Sequence, residues 1–165
     1  IRTFNTRQSI GALACELGGV FADLSSADSR ALGGLGMDLG MAFQVVDDCL
    51  DYAGEETVVG KSLGTDLRQG KLTLPLIYLR DSLDEAESKW LQKALSAPME
   101  EDVELRIHDM VRNGGVLVRS FERAQAFVQN ARSTLQDICA LDVKVSEPVK
   151  QSLELAADFV ISRDL

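Results

Sequence analysis

Proline is scarce, with 3 in 165 residues against about 8 at average usage. Aromatics make up only 5% of the chain. Both shortages argue against an all-β chain, and the first also argues against a proline-rich disordered one. The 3 cysteines, Cys15, Cys49 and Cys139, are odd in number and lack metal-ligand spacing. They are expected to be reduced thiols of a cytoplasmic protein, each acting as a small buried hydrophobe. The single histidine, His108, stands between Ile107 and Asp109 in a polar stretch, and surface or capping duty is expected of it. No apolar run approaches the ~20 residues that a membrane-spanning helix needs, so no transmembrane segment is expected. The opening IRTFNTRQ lacks the order of a secretory leader, and none is expected.

Basic residues are also short. Lys and Arg number 17 against 26 Asp and Glu, a net charge of -9. Phosphate backbones want a basic face, so nucleic acid is excluded as a main partner. A few placed lysines or metal ions would still allow small phosphates. What remains is a normal globular balance, 45% apolar and 26% charged. A compact domain of this size buries roughly 70% of the surface its unfolded chain exposes.

Apolar positions recur at helical spacing almost everywhere. Ile10, Leu13, Leu17, Val20 and Leu24 form one stripe, and Leu32, Leu35, Leu39, Ala42 and Val46 another. Between them the Ser25-Ser26 pair suits a helix cap. Residues 55–70 lose the period and hold Gly60, Gly64 and Gly70, which predicts a long loop. Helices resume over 73–80, with Pro75 in the first turn, and over 84–95, with Ser82 and Glu85 as a capping box. Pro98 is expected to open a helix that runs to Gly114-Gly115, and the acidic run 99–102 suits its start. Leu117, Phe121, Ala124, Val128, Ala131, Leu135 and Ile138 predict the longest helix after that. A last one carries Val149, Leu153, Ala156 and Val160. Trp90 is expected to be a packing anchor. The expected fold is all-α, a bundle of long helices with short connections.

The chemically dense stretch is FQVVDDCLDYAG, Phe43 to Gly54. At about 100° per residue, Gln44, Asp47, Asp48 and Asp51 share a face turned away from the Leu35–Val46 seam. Like charges at this spacing repel, and a helix C-terminus adds partial negative charge. A hard divalent cation such as Mg²⁺ cancels both. A solvated acidic helix end is the alternative. One and two turns below lie Gly40, Met41, Met37 and Gly33. A face this apolar is either buried or lines a greasy cavity with carboxylates at its mouth. The loop that follows places Lys61, Arg68 and Lys71 among glycines, which suits phosphate oxygens. Its spacing matches neither a P-loop nor an EF-hand.

At this point the stretch from Gly40 to Leu79 resembles the trans-type polyprenyl diphosphate synthases, in particular the bacterial long-chain (octaprenyl-like) kind. FQ-x-x-DD-x-x-D is similar to that family's second aspartate-rich motif. GK-x-x-G-x-D-L-R-x-GK-x-T-LP-LI is similar to its loop and following helix, and LELAADFVISRD to its last helix. The resemblance implies an isoprenoid-synthase-type helical bundle. It also implies Mg²⁺-dependent condensation of isopentenyl diphosphate with an allylic prenyl diphosphate. By matching positions, Asp47, Lys61, Lys71 and Gln44 would be the catalytic set. Asp47 would be the main metal ligand, with Asp48 and Asp51 in support. Phe43, Gln44, Lys61, Lys71, Asp66 and Arg7 would bind substrate. The family's first aspartate-rich motif has no counterpart in residues 1–165, and its Lys-Thr-Ala helix opening falls on Thr6, Arg7 and Gln8. Arg7 would replace that lysine only with the helix rotated by ~100°. The expectation is therefore the C-terminal half of one domain of roughly 300 residues, inactive alone, in a homo- or hetero-oligomer. The alternative is a non-catalytic partner subunit of a complete synthase.

Overall fold

Among the described residues every regular element is a helix, as the recurrence of apolar residues at three and four positions dictates. The computed structural model describes residues 7–53, 64–140 and 145–162. Eight helices lie there: α1 (Arg7–Phe21), α2 (Ser26–Ala53), the single turn α3 (Thr65–Arg68), α4 (Leu74–Ser82), α5 (Glu85–Leu95), α6 (Glu101–Asn113), α7 (Val116–Ala140) and α8 (Glu147–Ile161). Two compact units divide the chain, Ile1–Gln44 with Arg123–Asp164, and Val45–Glu122. Helices α2 and α7 each contribute to both.

In the first unit α2 begins at the expected serine pair. The Asp28 N–H donates to Ser25 Oγ at 3.1 Å, and the Ser25 hydroxyl donates back to the Asp28 carboxylate at 2.6 Å. This closes the first turn from both sides. Glycines bring α1 and α2 together. A Cβ on Gly36 would lie 2.3 Å from the Gly11 carbonyl oxygen, and one on Gly40 would lie 2.9 Å from Gln8 Cα. Only glycine tolerates that approach. The stripe of Ile10, Leu13, Leu17 and Val20 is therefore not the face α1 packs on α2. Those four side chains stay exposed, and Phe21 is 85% exposed. Helical period named the helix, while close backbone contact chose its small face. Gly33 and Gly40 are likewise packing points rather than a cavity wall, Gly33 against Glu16 and Gly40 against Gln8.

The core of this unit is Leu35, Ala131 and Leu135, ringed by Cys15, Leu32, Leu39, Cys139 and Leu153. Helix α8 adds Ala157 and Val160 and pairs Asp158 with Arg132. The expected positions Val149 and Ala156 are exposed. The buried line runs instead through Leu153, Ala157 and Val160.

In the second unit Leu76 and Leu79 of α4, Leu91 of α5, Ile107 and Val111 of α6 and Val116 of α7 pack with Tyr52 and Leu67. Trp90 lies against this core under the Arg106 guanidinium, 3.9 Å from its ring centroid. The expected capping box at Ser82 and Glu85 sits two residues further on. Asp84 is the N-cap of α5 and accepts the Glu87 N–H at 2.8 Å. Ser82 still belongs to α4, and its hydroxyl donates to the Leu79 carbonyl at 2.7 Å. A carboxylate also meets the positive end of the helix dipole, which favours Asp84 over the serine. Helix α6 starts at Glu101 rather than at Pro98, with three acids in its first turn, and ends at Gly114. All three cysteines are free, with Cys49 buried and Cys15 and Cys139 half-buried.

Candidate functional site

The C-terminal turns of α2 carry the acids, and they are not on a solvated face. Val45, Val46, Cys49 and Tyr52 are all but fully buried, and Asp48 is only 4% exposed. Asp47 and Asp51 are half-buried. Burial of a carboxylate favours its neutral form. Asp51 shows this: burial, first of all, raises its pKa, and the nearby Asp66 charge adds to the rise. Backbone N–H groups of Asp66 and Thr65 and the His108 ring oppose it. Burial also pushes the Cys49 thiol up to about 12, helped by the Asp48 charge and opposed by a hydrogen bond with Ser120. That thiol is inert at neutral pH.

Asp51 is tied to the turn α3. Its Oδ2 accepts the Asp66 N–H at 3.1 Å, and its own carbonyl accepts the Gly64 N–H at 3.2 Å. Gly64 has φ +74, and a Cβ there would meet Glu104 Oε1 and His108 Nε2 at 2.7 Å. The left-handed backbone favours glycine there, and any side chain would also push the Glu104 and His108 tips aside. Lys71 Nζ donates to Asp66 Oδ1 at 2.6 Å, and the Lys71 N–H donates to the Asp66 carbonyl at 2.9 Å. Two residues after Asp66, Arg68 Nε donates to both Glu104 oxygens at 2.9 and 3.0 Å. Asp51, Asp66 and Lys71 thus form one connected string.

Three further groups complete the surroundings. Tyr52 is fully buried, with its hydroxyl 3.4 Å from Thr73 Oγ1. Burial raises its pKa, and the hydrogen bond with Thr73 opposes the rise while the charges of Asp51, Asp66 and Asp48 add to it. Arg112 Nε donates to the Tyr52 carbonyl at 2.6 Å, placing a cation at the negative end of α2. His108 is half-buried with its ring 5.1 Å from that of Tyr52. Burial lowers its pKa, with Glu104 foremost among the charges that oppose the fall. Surface duty does not describe this residue. Its sequence neighbours gave no warning, because Tyr52 and Gly64 lie far off in sequence.

Of the expected site residues, Asp47, Asp48, Asp51, Asp66 and Lys71 lie in the second unit. Phe43 and Gln44, both half-buried, end the first unit's stretch of α2. Lys61 lies outside the described residues. Arg7 opens α1, and its side chain also lies outside them. Among the described residues no three Asp, Glu, His or Cys side chains converge closely enough to hold a metal ion on their own. Hard oxygen donors are nonetheless there, and Mg²⁺ commonly takes one or two carboxylates with substrate phosphates and water. The donor set fits that mode and not an all-protein cage. None of the described helices is long and apolar enough to cross a membrane.

Comparison with known proteins gives one answer. The polyprenyl synthetase family profile matches residues 3–110. The geranylfarnesyl diphosphate synthase of Aeropyrum pernix is 32% identical over 160 residues, 95% of this chain and 48% of that protein. The nonaprenyl diphosphate synthase of Mycobacterium tuberculosis is 33% identical over 160 residues, 96% of this chain and 45% of that protein. A polyprenyl synthase of Caulobacter crescentus, solved with calcium and isoprenyl diphosphate, superposes with a TM-score of 0.77 at 32% identity. It is matched over 94% of this chain and 46% of that one. The chain spans about half the length of the curated relatives it matches. With its helices, its acidic α2 terminus and its lysine-bearing turn, the chain belongs to the polyprenyl synthetase family.

Proposed function

We propose that this chain is the C-terminal half of a prenyl-transferring enzyme of isoprenoid biosynthesis, a domain completed by residues beyond 1–165. The reaction is the condensation of isopentenyl diphosphate with an allylic prenyl diphosphate, in the cytoplasm. The observation that supports this best is the join between the acidic end of α2 and the lysine of the next turn, through Asp51 and Asp66. It sets carboxylates beside a cation able to hold diphosphate oxygens. In this reading Asp47 is the principal Mg²⁺ ligand, and Asp48 and Asp51 support the ion and its waters. When bound, Mg²⁺ neutralises the departing diphosphate. Lys61 and Lys71 hold the remaining diphosphate oxygens, an electrostatic role that strengthens as the leaving group gains charge. Gln44 and Phe43 face the prenyl chain. Asp66 keeps Lys71 directed, and Arg7 lies at the allylic diphosphate.

Titration calorimetry with inorganic diphosphate and Mg²⁺ tests the half-site. Binding is expected, and it should weaken at least about tenfold in Asp47→Ala and in Lys71→Met. No heat at millimolar diphosphate and Mg²⁺ would overturn the reading. The chain alone should turn over no prenyl substrate. A second reading is a non-catalytic partner subunit in a hetero-oligomer. Its hetero-oligomer is supported by one relative named as part of a larger assembly, the heptaprenyl diphosphate synthase component 2 of Bacillus subtilis, 34% identical over 96 residues. Co-purification with a complete synthase whose product stays the same when Asp47→Ala is introduced would favour it.

A further inference from the structure

Asp51 stands third in the acidic cluster, yet it is tied to backbone. Oδ2 accepts the Asp66 N–H at 3.1 Å, and the Asp51 carbonyl takes the Gly64 N–H at 3.2 Å. Two links of the same residue therefore tie the end of α2 to the turn α3. From α3 the string continues through Asp66 Oδ1 to Lys71 Nζ at 2.6 Å. A carboxylate that spends an oxygen on a backbone amide has less to offer a metal ion. We propose that Asp51 is a positioning residue, which uses its side chain to fix the turn Gly64–Lys71 so that Asp66 and Lys71 stand at a set distance from Asp47 and Asp48. This rests on the diphosphate-site reading and replaces one part of it: Asp51 serves the site through the turn rather than through the ion's waters.

The role needs an acceptor oxygen and not a negative charge. That separates it from direct metal ligation, which needs the charge. Asparagine supplies the acceptor and alanine does not. The test is hydrogen exchange of the 64–71 segment in the full chain, together with calorimetric binding of inorganic diphosphate at fixed Mg²⁺. Asp51→Ala should speed exchange of the Asp66 amide about tenfold and weaken diphosphate binding by a similar factor. Asp51→Asn should restore the exchange protection and most of the binding. Asp47→Asn should weaken binding without touching the protection. If Asp51→Asn loses binding as fully as Asp51→Ala while the turn stays protected, charge is what matters and the inference is wrong. Unchanged protection in Asp51→Ala overturns it too. Should the unaltered chain bind no diphosphate, the proposed function fails, and the exchange data still decide whether Asp51 holds the turn. Circular dichroism melting of each variant separates loss of the turn from loss of the fold.

Discussion

Replacing Gly36 by alanine tests the glycine contact that seats α2 on α1. A methyl at that position would lie 2.3 Å from the Gly11 carbonyl oxygen, 2.7 Å from its carbonyl carbon and 2.9 Å from Cys15 Sγ. Two of the three are backbone atoms, so no side-chain rotation relieves the overlap. The helices must part by about 1 Å, and a gap of that size forfeits roughly a quarter to a half of each contact it opens. Overpacking of this kind costs about 1–3 kcal/mol. Alanine in place of glycine inside a helix gives back about 1 kcal/mol. The expected net loss is up to about 2 kcal/mol, a fall in Tm of up to about 6 °C for a chain of this size. Gly34 is the control, on the same helix and two residues away. It is exposed, and a Cβ there meets nothing within 4 Å. Gly34→Ala keeps the propensity gain without the clash, and it should raise Tm by about 2–3 °C. Thermal and urea unfolding followed by circular dichroism would measure both. Equal stabilisation by the two substitutions would refute the backbone contact.

Asp84→Ala should cost about 1 kcal/mol in urea unfolding, and Ser82→Ala less than about 0.5 kcal/mol; the reverse order would restore Ser82 as the cap of α5. Arg112→Met removes the charged donor from the Tyr52 carbonyl and should cost about 1–2 kcal/mol by the same measurement, whereas an unchanged midpoint would mean that the helix end needs no such partner. The pKa of His108 in the fold lies below its ordinary 6.5, chiefly through burial. The unfolded chain therefore binds the proton first as pH falls. Stability contributed by the neutral ring is present above pH 6.5 and is lost as pH drops from there toward the lowered value. His108→Gln should flatten that part of the stability–pH curve, and an unchanged slope would assign it to other groups.

Most of what is local was legible in the amino-acid order. Apart from the turn α3, which falls inside the stretch 55–70 expected as a loop, the helices, the serine cap of α2, the acidic start of α6 and the seam of α7 follow from spacings of one to four residues. So does the crowding of Asp47, Asp48 and Asp51 on one helix end. The slip at Ser82 shows the limit. Two candidate caps lie two residues apart, and the end of the preceding helix chooses between them. The exposed stripe on α1 marks a deeper limit. Large apolar residues at helical spacing announce a buried face, yet α1 meets α2 through Gly11, whose contribution is the absence of a side chain.

By itself, then, the sequence determined the helical class, the resemblance carried by Gly40–Leu79 and the composition of the acidic and basic groups. All of these depend on residue type and short spacing. Tertiary structure decided which face of α1 is packed, and it brought His108 beside Tyr52. It also gave the Tyr52 carbonyl to Arg112, sixty residues away, and the Asp51 carboxylate to a backbone amide fifteen residues on. The physical reason is shared by all but the ring contact. Backbone amides and carbonyls are the same at every position, so the order of side chains does not say which of them will meet. Only the packed chain sets those distances.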